Sequence, residues 1–175
     1  MSKLNDNSIT IYEALQNIEN GRYVMPAFQR QYVWSMEQIE KLWDSILLDY
    51  PIATFLFWHI DDNNISWDTY CCQFMKEITF DSRKQADSVN YELSSVDVSM
   101  TDTAILDGQQ RLTSLYLSLF GNAYVRPKHA RRAINGGTLT KLLIELNKNR
   151  LDADEEEYNS KKYDIKFSEK AARYS

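Results

Sequence analysis

Apolar residues recur at helical spacing in two places near the start of the chain. Ile11, Ala14, Leu15 and Ile18 follow Thr10, and Ile39, Leu42, Trp43, Ile46 and Leu47 follow Ser35. Each run opens on a hydroxyl residue with Glu13 or Gln38 three positions on, the pattern of a capping box, so both are expected helices. Gly21 suits the end of the first, and the second is expected to end near Asp49. Between them Tyr23 to Phe28 reads as extended, because Pro26 forbids an interior helix. Pro51 then separates the second helix from ATFLFWHI, residues 53 to 60, a β-rich run that reads as a buried strand.

Residues 61 to 102 are polar with scattered aromatics. Short strands are expected around Glu77 to Phe80 and Tyr91 to Leu93. Thr103 to Leu106 reads as a short strand and Leu112 to Phe120 as a helix closed by Gly121. The run TLTKLLIEL, residues 138 to 146, reads as a strand. DADEEEYNSKK reads as a solvated acidic loop, and KYDIKF, residues 162 to 167, as a last strand. Helices and strands mix without a regular βαβ rhythm, which predicts an α+β class. One domain is expected over residues 1–175, with its core at about 9–146 and the acidic loop and last strand in 147–175.

Composition narrows the class. The 175 residues are 43% hydrophobic and 13% aromatic, a globular balance. No apolar run approaches the ~20 residues that span a bilayer. MSKLNDNSIT lacks the apolar core of a signal peptide, so a cytoplasmic location without membrane partners is expected. Cys71 and Cys72 are the only cysteines. They are adjacent, poor geometry for a disulfide and too few ligands for zinc. The net charge of −5 is uneven: residues 1 to 100 hold 7 basic and 15 acidic side chains, residues 101 to 175 hold 13 and 10. An acidic total argues against a coat for nucleic acid and leaves room for a local basic face, such as RPKHARRAINGG.

The chemistry concentrates in ILDGQQRLTS, where Asp107, Gly108, Gln109, Gln110 and Arg111 join a strand to a helix. A helix starting near Gln109 exposes its first N–H groups at the strand end, where its dipole favours negative charge. Gly108 lets backbone approach a ligand, and Arg111 can fork onto phosphate oxygens. Together these suit a phosphate. Asp107 either holds Mg2+ beside a nucleotide, positions water, pairs with an arginine or simply caps the helix. A second polar group, Gln29 and Arg30, interrupts MPAFQRQYVWS. Arg30 is a candidate second phosphate contact, Gln29 a reader of base or sugar, and Trp34 either a stacking surface or a core plug.

Three segments in order, MPAFQRQYVW, LWDSILLDYPIATFLFW and ILDGQQRLTSLY, resemble the N-terminal domain of the GmrSD-type modification-dependent restriction endonucleases, a family related to the ParB/sulfiredoxin-like fold. The resemblance implies a mixed sheet with flanking helices, in which the DGQQR segment lines a nucleotide pocket with Gln29 and Arg30 opposite. Thr113 and Ser114 stand where the family has a threonine pair, and join the phosphate-binding candidates. It also implies nucleoside triphosphate binding and hydrolysis, in a system that acts on foreign or modified DNA. Family members often carry an HNH-type nuclease domain. With only His59 and His129, neither in a His-Asn-His setting, this chain is expected to lack it and to depend on a nuclease domain or subunit elsewhere. His59 reads as structural and His129 as exposed.

The leading expectation is therefore a nucleotide-binding, NTP-hydrolysing sensor domain, with Asp107, Gln110 and Arg111 as catalytic candidates and a nucleoside triphosphate with Mg2+ as cofactor. A Walker-type glycine loop is absent. The alternatives are a DNA-nicking domain, with Arg126, Lys128, Arg131 and Arg132 on backbone phosphates, and a catalytically silent interaction module.

Overall fold

A computed structural model describes residues 9–28, 31–59, 67–86, 95–97, 99–126, 137–145 and 163–169. Helix α1 (Ile11–Glu19) starts on the expected capping box: Thr10 accepts from the Glu13 N–H while the Glu13 carboxylate accepts from Thr10. It ends where Gly21, at φ 75°, lets the N–H groups of Gly21 and Arg22 reach back to Ile18 and Asn17. Strand β1 (Tyr23–Pro26) follows, then α2 (Met36–Leu47), opened by the Ser35–Gln38 box. Strand β2 (Leu56–His59), a short α3 (Trp67–Tyr70), β3 (Cys71–Cys72) and β4 (Glu77–Phe80) come next. The chain continues through β5 (Thr103–Asp107), α4 (Gln109–Leu119), β6 (Asn122–Val125), β7 (Thr138–Glu145) and β8 (Asp164–Ser168).

The class is α+β, with two four-stranded mixed sheets rather than one. The first has the order β2-β5-β1-β3, with β1 and β5 parallel, and the second the order β4-β6-β7-β8, with β4 and β6 parallel. Helices α2 and α4 serve both. Leu42, Leu112, Leu115 and Tyr116 join the core over the first sheet, while Met36, Ile39 and Leu117 join Ile78, Phe80 and Ala123 over the second. Trp34 and Trp43 pack against both clusters. Because α4 lies between the layers, Leu112 to Leu117 are all buried, polar Thr113 and Ser114 included. Its two serine hydroxyls bond locally, Ser114 donating to the Gln110 carbonyl at 2.7 Å and Ser118 to that of Ser114 at 2.7 Å.

The run ATFLFWHI is corrected. Among the described residues strand β2 is an edge, bonded only to β5, and Leu56 and Trp58 are about half exposed. An apolar run reports a capacity for burial, and a sheet has no second neighbour to offer at its edge. The expected strand at Tyr91 to Leu93 and the acidic loop lie outside the described residues. The last strand exists and belongs to the body of the fold. The Tyr163 N–H donates to buried Asp44 at 2.9 Å and the Phe167 N–H to buried Glu40 at 3.1 Å, so two carboxylates of α2 hold β8.

Candidate phosphate site at the strand–helix junction

Strand β5 sits inside its sheet, between β2 and β1, and delivers Asp107 to the sheet end. Gly108 then turns the chain with φ 86° and ψ 8° and serves as the N-cap of α4 without a side chain. A Cβ at this position would fall 2.2 Å from Cδ1 of Phe55, so glycine is required both by the left-handed backbone and by the ring beside it. The first intrahelical bond runs from the Leu112 N–H to the Gly108 carbonyl at 2.9 Å. The N–H groups of the first turn accordingly face the end of the strand, with the positive end of the helix dipole behind them. They open on a cavity of about 160 Å³ lined by Trp34 and by Leu106 to Arg111.

Arg111 is held in place from three sides. One guanidinium nitrogen donates to the Ile52 carbonyl at 2.5 Å, the plane lies 4.6 Å over the Phe55 ring, and the other nitrogen is 3.7 Å from Asp107. The arginine side chain is 17% exposed and that of Asp107 is 65% exposed, so the carboxylate is the member of the pair turned to solvent. A fixed cation and a solvated anion flank one helix N-terminus. Of the residues lining the cavity, Asp107 is the carboxylate. Among the described residues no group of three or more His, Cys, Asp or Glu side chains converges.

The two glutamines separate in role. Gln109 is buried and its amide donates to the Ile105 carbonyl at 2.6 Å, closing the strand onto the helix. Gln110 reaches across to the segment before α2, accepting from the Val33 N–H at 3.0 Å and donating to the Gln31 carbonyl at 3.1 Å. Ser114 adds a bond of 2.7 Å to the Tyr32 hydroxyl. The Gln31–Val33 backbone is thereby clamped to α4. Gln29 and Arg30 themselves lie outside the described residues. Trp34 lines the cavity and also packs into the core, serving as wall and plug together. Thr113 and Ser114 lie beneath the surface, 3% and 0% exposed.

The basic stretch divides differently. Arg126, next after β6, is buried at 8% exposure and does not present a surface charge, while Lys128, Arg131 and Arg132 lie outside the described residues, as does His129. His59 ends β2 and hydrogen-bonds Thr103 through Nδ1 at 3.1 Å. Sequence reasoning missed Phe55 and Ile52, which orient Arg111 from a segment more than fifty positions away. The aromatic content of ATFLFW was the only signal near them.

Residues 11–174 match the family described as GmrSD restriction endonuclease, N-terminal domain. The chain belongs to that family. It is also similar to an uncharacterised protein, MJ0686, of Methanocaldococcus jannaschii, with 26% identity over 118 residues. That match covers 67% of this chain and 18% of the archaeal protein, so the chain spans a small part of that relative's length. Among the described residues no helix is long and apolar enough to cross a membrane.

Proposed function

We propose that this domain binds a nucleoside triphosphate by its phosphates at the Gly108 turn, hydrolyses it, and serves as the nucleotide-dependent sensor of a restriction system that acts on foreign or modified DNA. The observation that carries this reading is the open first turn of α4 over a cavity flanked by the immobilised Arg111 and the solvated Asp107. At about 160 Å³ the cavity accepts a phosphate-sized group, which leaves base and sugar outside it, toward Trp34. The first-turn N–H groups and Arg111 place positive charge where phosphate oxygens gain negative charge, and phosphoryl transfer depends mostly on such positioning and electrostatics. Asp107 would hold Mg2+, which when bound neutralises phosphate charge and polarises the phosphoryl oxygen. Gln110 acts through the Gln31–Val33 backbone that it clamps. That clamp ties the phosphate site to the segment carrying Gln29 and Arg30, in which a sensor could transmit nucleotide occupancy.

Calorimetric titration with GTP, CTP and ATP in the presence of Mg2+ tests the reading. At least one is expected to bind, and Arg111→Ala to weaken it about 10- to 100-fold, the worth of charge-assisted hydrogen bonds of ~1.5–3 kcal/mol. A folded protein that binds none of the three sinks it. Release of inorganic phosphate, abolished by Asp107→Asn, separates hydrolysis from binding. The burial of Arg126 removes one support from the alternative that this domain grips and nicks DNA through its basic stretch.

A further inference from the structure

Strand β5 has a second end. Its first residue, Thr103, opens into a groove of about 820 Å³ between β2, β5 and the exposed side of α1, five times the volume of the phosphate cavity and in the range of small-ligand sites. Thr103 and Asp107 are four residues apart along the strand, about 13 Å. Ile105, between them, is fully buried, and the two spaces share no lining residue.

The groove is built from a connected chain of hydrogen bonds. Thr103 donates its hydroxyl proton to Asp102 at 2.7 Å, so its oxygen accepts from His59, and the network assigns the imidazole proton to Nδ1. The other Asp102 oxygen accepts from Arg22 Nε at 2.9 Å and Nη2 at 2.5 Å. Arg22 is therefore compensated, and Glu13 is engaged in the α1 cap. Among the described residues this groove therefore offers an anion no uncompensated guanidinium. The floor is aromatic: the rings of Tyr23 and Phe57 lie 5.5 Å apart at 53°. Burial raises the Tyr23 pKa, which keeps its hydroxyl neutral. Along the rim, Gln16 on α1 and Asn20 at its C-cap stand one helical turn apart, and their side-chain amides bond no other described residue.

An aromatic floor, free amides that both donate and accept, and compensated charge select a flat, uncharged, hydrogen-bonding ring. Amides pair with base edges and aromatic rings stack on base faces. We infer that this groove binds a nucleoside, with the base over Phe57 and Tyr23 and its polar edge on Gln16, Asn20 and the Arg22–Asp102 pair. The site is independent of phosphate binding at Gly108.

Titration of the full chain by NMR with adenosine, guanosine, cytidine and uridine, and with glucose for comparison, tests this. A nucleoside without phosphate is expected to saturate below about 10 mM, to shift the Tyr23 and Phe57 ring signals, and to show proton–proton contacts with them. The double variant Gln16→Ala, Arg22→Ala changes exposed side chains and should weaken binding about tenfold or more, while Arg111→Ala leaves it unchanged. Four results overturn the proposal: no saturation, a preference for glucose, loss of binding with Arg111→Ala, or no contact to either ring. The ring contacts are read in the unmodified protein and decide the matter even if the double variant does not fold.

Discussion

Replacing Gly108 by alanine isolates the junction on which the candidate site rests. Two costs arise. An L-residue held at φ 86° costs about 1–2 kcal/mol, because its Cβ crowds the following carbonyl. The new methyl would also stand 2.2 Å from Phe55 Cδ1, so the ring must move. Moving it weakens the Arg111–Phe55 stacking at 4.6 Å, worth roughly 0.5–2 kcal/mol. Gly108→Ala should therefore lose about 1.5–4 kcal/mol in urea unfolding, with Tm falling roughly 2–4 °C per kcal/mol for a chain of this length. Phe55→Leu, which shortens the ring's reach, separates the terms. In that background the alanine should cost only the backbone part, leaving a coupling of about 1 kcal/mol or more between positions 108 and 55. Additive losses, within about 0.5 kcal/mol, would refute the steric argument and leave only the backbone one.

Two further expectations follow from named bonds. Gln110→Ala removes both links to the Gln31–Val33 backbone and should cost about 1–3 kcal/mol, with faster hydrogen exchange at the Val33 amide; unchanged exchange there would contradict the clamp. Burial pushes the Cys72 thiol up to about 11, so between the ordinary value of 9.0 and 11 the unfolded chain binds fewer protons than the folded one, and stability must fall as pH rises. Cys72→Ala should flatten part of that alkaline slope in unfolding measured from pH 8 to 11, while Cys71, Tyr23, Tyr116 and Tyr124, which burial raises as well, keep contributing to it. An identical slope with and without the thiol would contradict the burial argument.

The legible parts of the chain were those whose signal is local. Both capping boxes are satisfied within four residues, so Thr10–Glu13 and Ser35–Gln38 announced α1 and α2. The strand–glycine–helix order at Asp107 to Arg111 was legible for the same reason. Helix α4 carries little amphipathic pattern because it is buried on nearly every side, and only its end was read from a glycine, Gly121. Strand β6 was missed: NAYV owes its state to β4 and β7 on either side, partners distant in sequence. The edge position of β2 and the division into two sheets depend on pairing in the same way. In the site, residue types pointed to phosphate chemistry, while the supports of Arg111 and the targets of Gln110 arise only when remote segments meet.

The capture of β8 by α2 sets an order on synthesis. Glu40 waits for Phe167 across 127 residues and Asp44 for Tyr163 across 119. At about 5–20 residues per second the ribosome needs roughly 6–25 s to deliver that strand. Until β8 arrives the two acids have no partner in that strand, and the second sheet stays open on the side that β8 later covers. The nascent domain therefore closes from its C-terminal side, and a released chain that ends before residue 163 would present the edge of β7 that β8 covers to any strand nearby.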